Sequence, residues 1–265
     1  MDEDETEVEL PAGVELLWGR RDRSRRGGPK PALTLQRIVE AAIAVADEGG
    51  LAALSMSRIA EKLGFTTMSL YRYVTSKNEL LMLAFDAAVE APPEAEPGED
   101  WRQALERWAR ANLAFYRQRR WLLEVPVSGL PPGPNQLRWL DRGLAALDDT
   151  RLTEAEKPSC MLLLAMYVRS AAALLTDPAR AAELAGESGA QPRPWGQTLR
   201  QLVDADRYPA LSRSVNAGVF DEEPSDGDAG AEEEFEFGVC RVLDGIAVLE
   251  ARGKSNVSGG SGGEA

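Results

Sequence analysis

The stretch that most limits what this chain can become is Ser55 to Lys77, SMSRIAEKLGFTTMSLYRYVTSK. Met56, Ile59, Ala60 and Leu63 recur at i, i+3, i+4 and i+7, which puts four apolar side chains on one face of a short helix. Gly64 follows, where a chain leaving a helix turns left-handed at little cost only for glycine. A second short helix is expected to start at Thr66 or Thr67, where a hydroxyl can accept from an orphan backbone N–H. Its aliphatic residues are Leu70 and Val74, so one narrow stripe faces inward. Thr67, Met68, Ser69, Tyr71, Arg72 and Tyr73 are left to point elsewhere. Two short helices joined by a glycine turn describe a helix-turn-helix. A plain helical corner shares that spacing, but two details favour the DNA-reading form. Thr66 to Lys77 contains no carboxylate, and Lys77 starts the next helix, where the dipole alone favours an acid.

At these residues a resemblance becomes specific. The run LSMSRIAEKLGFTTMSLYRYVTSKNELL is similar to the DNA-binding domain of the tetracycline-repressor (TetR) family. The matching tokens are the hydroxyl residue before the first helix, IAEKLG, the S-L-Y-R-Y core and S-K-N-E-L-L, and the close match spans roughly Leu33 to Val89. The resemblance implies an all-α chain. A three-helix helix-turn-helix domain would be followed by a helical ligand-binding and dimerisation domain, with a fourth helix connecting the two. It implies a homodimer on a palindromic, double-stranded operator. Residue by residue, it implies that Thr66, Thr67, Met68, Ser69 and Tyr71 approach bases or sugars. Arg72, Tyr73 and Lys77 would meet phosphates, with guanine a second option for Arg72, and Ser57 would bond to backbone or base.

Charge is distributed in keeping with this. The 265 residues carry a formal net charge of −13, which argues against a protein that coats nucleic acid without selectivity. Residues 19–90 are nevertheless net positive, while residues 1–18 hold seven acids and no base. Gly19 to Lys30 brings together Arg20, Arg21, Arg23, Arg25, Arg26 and Lys30, read either as a solvated leader or as an arm reaching the minor groove.

The rest of the chain reads as helices and loops. Residues 1–32 are expected to be extended or disordered, first acidic and then basic. The helix-turn-helix domain is placed at residues 33–80 and the ligand-binding and dimerisation domain at 81–252, ahead of a disordered Gly/Ser-rich tail at 253–265. Thr34 to Asp47 is a helix ended by Gly49 and Gly50. Ser76 and Glu79 suggest a capping box for the helix that follows. Further helices are expected at 101–119, 135–147, 153–176, 195–206 and 232–252, with loops at 91–100, 128–135, 178–194 and 218–230. The segment 153–176 is apolar all round and so is expected to be buried all round. Its longest uncharged run, Cys160 to Val168, is too short to span a bilayer, so no membrane association is expected. Cys160 and Cys240 fit buried thiols in a reducing cytoplasm.

A ligand pocket is suggested by Trp108, Phe115, Tyr116, Trp139, Met161, Met166 and Tyr167, with Asn112 and Arg169 as orienting polar groups. Single aromatic residues at helical spacing also serve as ordinary core. The chain has no histidine. The tetracycline repressor uses histidine to hold the magnesium bound to its drug, and an ungapped reading from Trp101 places Pro126 there. No metal or cofactor is therefore expected, and the effector is expected to be a small, largely apolar compound, planar or cationic. An enzyme is not expected, since histidine, a phosphate loop and a nucleophile elbow are all lacking. The remaining alternative is a helix-turn-helix regulator controlled by a protein partner, or an activator, without a small-molecule ligand.

Overall fold

Helix starts along the chain follow from hydroxyl and carboxylate caps placed just ahead of apolar, helix-periodic segments. A computed structural model describes residues 10–20, 32–126, 132–175, 195–221 and 228–257. In chain order the helices are α1 (Ala12–Leu17), α2 (Leu35–Ala53), α3 (Met56–Leu63), α4 (Thr67–Leu70), α5 (Lys77–Ala88), α6 (Trp101–Gln118), α7 (Trp121–Glu124), α8 (Pro134–Ala146), α9 (Glu156–Leu175), α10 (Trp195–Leu202), α11 (Pro209–Asn216) and α12 (Asp228–Val257). No strand occurs among the described residues.

Thr34 caps α2 by accepting from Arg37 N at 3.2 Å, and Ser55 caps α3 by accepting from Arg58 N at 3.3 Å. Gly64 ends α3 at φ 73°, the left-handed turn that the sequence demanded. Gly50, at φ 71° and ψ 179°, breaks the helix where the sequence placed its end, and a short further helical stretch runs on to Ala53. Ser76 accepts from Glu79 N at 3.1 Å, but the expected reciprocal box does not close. The Glu79 carboxylate instead accepts from the backbone and the hydroxyl of Thr75, one residue further out. A full capping box, read from the sequence only as a loop end, forms at α6 between Asp100 and Gln103.

α2, α3 and α5 pack around Ile38, Ala42, Leu54, Ile59, Leu70, Val74, Leu80 and Ala84. α6, α8, α9 and α12 pack around Leu105, Ala109, Trp139, Met161, Leu164, Val168, Val239 and Leu243. One continuous apolar cluster joins the two groups, because α5 also packs on α8 and α2 on α7. α10 and α11 pack on each other. α11 went unread in the sequence, although Pro209 stands where proline starts a helix.

Two expectations change. Residues 12–17 are helical, and α1 docks on α5 with Leu16 and Leu17 half-buried against the core. α9 is not buried all round: Cys160, Met161, Leu164, Val168 and Ala172 face inward, while Leu162, Leu163, Met166 and Leu174 are exposed. By length and composition α9 is also the one described helix that is long and apolar enough to cross a membrane, so the argument from run length fails for it. Its inward face packs on α6, α8 and α12, as a core helix does.

Candidate functional site

The α3–α4 unit is built by giving its aliphatic residues to the core and its other side chains to solvent. Leu70 and Val74 are fully buried, and they orient the single turn of α4. Opposite them, Met68 is 73% exposed and Tyr71 47%, with Arg72 and Lys77 also exposed. Thr67 and Ser69 are half-buried at the rim. Beyond Leu70 the chain continues as a turn held by Tyr73 N and Val74 N, both donating to Leu70 O. The exposed face thus extends past the helix itself.

Several of the expected contacting groups already have partners. Thr66 precedes α4 as expected, yet its hydroxyl pairs with Ser69 Oγ at 3.0 Å and caps no backbone N–H. The exposed Ser57 hydroxyl lies 3.2 Å from that of Ser55. Tyr73, expected at phosphate, is half-buried, and its hydroxyl donates to Leu33 O at 2.6 Å, so it ties α2's lead-in to the turn after α4. Lys62 on α3 pairs with Glu48 at 2.6 Å, and that hydrogen bond holds the Glu48 carboxyl below its ordinary range. Of the basic arm, Arg20 is exposed just after α1; Arg21, Arg23, Arg25, Arg26 and Lys30 lie outside the described residues.

The residues expected to line a pocket do not form one group. Trp108, Phe115 and Trp139 are buried together, with Trp108 and Trp139 edge-on at 5.7 Å and Phe115 6.5 Å from Trp139. Tyr116 adjoins Phe115 at 5.3 Å, and Asn112 is half-buried on the same helix. Both indoles are satisfied by backbone: Trp108 Nε1 donates to Trp139 O at 2.9 Å, and Trp139 Nε1 to Glu90 O at 2.7 Å. Met161 fills the space that Gly143 leaves on α8. Tyr167 packs over Gly238 and stacks on Phe235, and desolvation raises its phenol pKa. Met166 is turned outward with the exposed face of α9. Arg169 stands 5.8 Å over the Tyr116 ring, but its guanidinium donates to Leu122 O, Leu123 O and Val125 O and so caps the C-terminal end of α7. Two surface concavities, of about 320 and 560 Å³, are lined by α9 and α12 residues and by none of these side chains. Among the described residues no group of three or more Cys, Asp or Glu could hold a metal ion.

Polar bonds that sequence reasoning missed join the two halves. Asp86 on α5 is 3% exposed, and its carboxylate accepts from Asn135 N and Gln136 N, both at 3.1 Å, at the start of α8. Gly133 leaves room for that carboxylate where a Cβ would collide with it. Asn135 Nδ2 returns a bond to Asp86 O at 3.0 Å. Trp121 Nε1 on α7 donates to Asp47 Oδ1 on α2 at 2.7 Å. Trp18 Nε1, just past α1, donates to Pro132 O at 3.0 Å beside the same α8 start. A lone acid in the apolar run LLMLAFDAA was the available signal for Asp86.

Comparison with known proteins places these features. The family model described as "Bacterial regulatory proteins, tetR family" matches residues 38–82, and "Tetracyclin repressor-like, C-terminal domain" matches residues 92–249. The chain is 40% identical over 248 residues to the HTH-type transcriptional repressor DrrR1 of Streptomyces coeruleorubidus, covering 91% of this chain and 88% of that one. It is 27% identical over 218 residues to the tetracycline repressor protein class A from transposon 1721 of Escherichia coli, covering 79% and 88% respectively. Among solved structures it is similar to the TetR family protein ActR of Streptomyces coelicolor in complex with (S)-DNPA, with a TM-score of 0.63 and 26% identity over 82% of this chain and 98% of that one. ActR in complex with actinorhodin gives a TM-score of 0.63 and 25% identity, covering 84% and 99%.

Proposed function

The chain belongs to the TetR family of bacterial transcriptional regulators, and from that premise we propose that it is a repressor whose homodimer holds a palindromic operator and lets go when a small, largely apolar molecule binds. The family is one of DNA-binding regulators, not of enzymes. The observation that carries the reading is the outward face of α4, where Met68, Tyr71 and Arg72 stand exposed on a turn whose other side is fully buried. Met68 and Tyr71, with Thr67 and Ser69 at the rim, face the bases. Arg72 and Lys77 meet phosphate, or guanine in the case of Arg72. Arg20 begins a basic arm suited to the adjacent minor groove.

A palindrome needs two reading heads about one helical turn apart, roughly 34–36 Å, and a closed two-fold dimer supplies them. The exposed Leu162, Leu163, Met166 and Leu174 of α9 and Phe237 and Val248 of α12 are the surface for that pairing. The effector binds among Trp108, Asn112, Phe115, Tyr116 and Trp139; that a small molecule binds at all is supported by the complexes of the similar protein ActR with (S)-DNPA and with actinorhodin. It displaces DNA only through unequal affinity for the two states. The Asp86, Trp121 and Trp139 bonds are the joints through which a shift in α6 to α8 reaches α2 and α5. The protein acts in the cytoplasm, where the operator is. Selection of bound duplex from a random pool tests this directly. A palindrome is the expected result, and recovery of only unrelated sequences overturns it.

A further inference from the structure

We propose that the recognition helix reads thymine by its C5 methyl group, and that Met68 sets the base at its position in each half-site. This rests on the operator-binding reading above. Hydroxyls are the obvious candidates for base contacts, yet the structure pairs four of them internally. Thr66 Oγ1 and Ser69 Oγ bond each other, Ser57 Oγ bonds Ser55 Oγ, and Tyr73 Oη donates to Leu33 O. The most exposed side chain of α4 is an apolar one. Met68 is 73% exposed, and Tyr71, at i+3 and so on the same helix face, is 47% exposed.

A thioether donates no hydrogen bond and accepts only weakly, so it cannot read the donor and acceptor pattern of a base edge. The major groove offers one apolar mark that separates a base from the others, the thymine C5 methyl. An unbranched, polarisable side chain adapts to that mark without demanding one exact geometry. Exposed Arg72 and Lys77, four and nine positions after Met68, supply the phosphate attraction that brings the face into the groove. The exposed apolar side chains of α9 and α12 proposed for pairing lie on elements separate from α4.

The test uses the full chain and the duplex recovered by selection. Each thymine is replaced in turn, in both half-sites, by deoxyuridine, which differs only in lacking the methyl group. Affinity is measured for the wild type and for Met68→Ala at one salt concentration. At one thymine position at least, the wild type should lose about fourfold per half-site, the worth of burying one methyl-sized group, while Met68→Ala loses nothing further. The side chain is exposed, so the Met68→Ala unfolding midpoint should match the wild type and confirm an intact fold. Wild-type binding indifferent to every deoxyuridine, or a loss equally large in Met68→Ala, overturns the inference and leaves the operator reading standing. If no duplex is selected at all, both fall.

Discussion

α4 holds Leu70 in the core and turns Met68, Tyr71 and Arg72 into solvent. On α6 and α8, Trp108, Phe115 and Trp139 turn inward, and each indole N–H finds a backbone carbonyl. The first region leaves these groups in solvent. The second satisfies its groups internally, so a ligand entering there must replace hydrogen bonds and packing that the protein already makes. A binding surface for a large, rigid partner can stand open in water. An apolar site for a small one collapses on itself when the same side chains can fill it.

Substitutions can break this contrast. The largest effect is expected from Trp139→Ala, which removes a buried indole, its edge-on contact with Trp108 and the bond to Glu90 O; it should cost about 3–5 kcal/mol of stability in denaturant unfolding. A loss under about 1 kcal/mol would mean that the cluster is already loosely packed and stands open as a pocket. Arg72→Ala should leave the unfolding midpoint unchanged and cost about 1–3 kcal/mol of operator affinity if the guanidinium reads guanine. Affinities across half-site variants check this: loss confined to one base position supports base reading, and uniform loss with a lower salt slope makes it a phosphate contact. The smallest effect sharpens the boundary inside the recognition unit. Tyr73→Phe loses the bond to Leu33 O and should cost about 1 kcal/mol of stability, with the salt dependence of DNA binding unaltered. A reduced salt slope in that variant would return Tyr73 to the phosphate-contacting set.

Legibility followed the same division. Thr34, Ser55, Gly64 and Ser76 act locally, and the periodicity around them located α2, α3 and α5 to within a few residues. Leu70 and Val74 told which side of α4 is inside, and by subtraction which side is out. α1 was missed because a six-residue helix is too short to show a strong period; what holds it in place is docking on α5 and Trp18 reaching Pro132 O, 114 positions away in the chain. Glu79 turned to Thr75 because a carboxylate chooses among nearby N–H groups by geometry that spacing does not specify. Arg169 looked like a polar group in a pocket, and in the fold its donors meet three carbonyls at the end of α7, which spacing along the chain does not show.

Local rules of helix capping, periodicity and glycine conformation act within a few residues, and they were enough for an all-α chain, the helix-turn-helix and its outward face. The sharing of Asp86 between α5 and α8, the bond from Trp121 to Asp47 and the closed aromatic cluster depend on groups brought together from 31 to 74 positions apart. A sequence names the donors and acceptors that need partners. Only the packed chain decides which of them meet, because every buried group takes the partner that the surrounding helices place within about 3 Å of it.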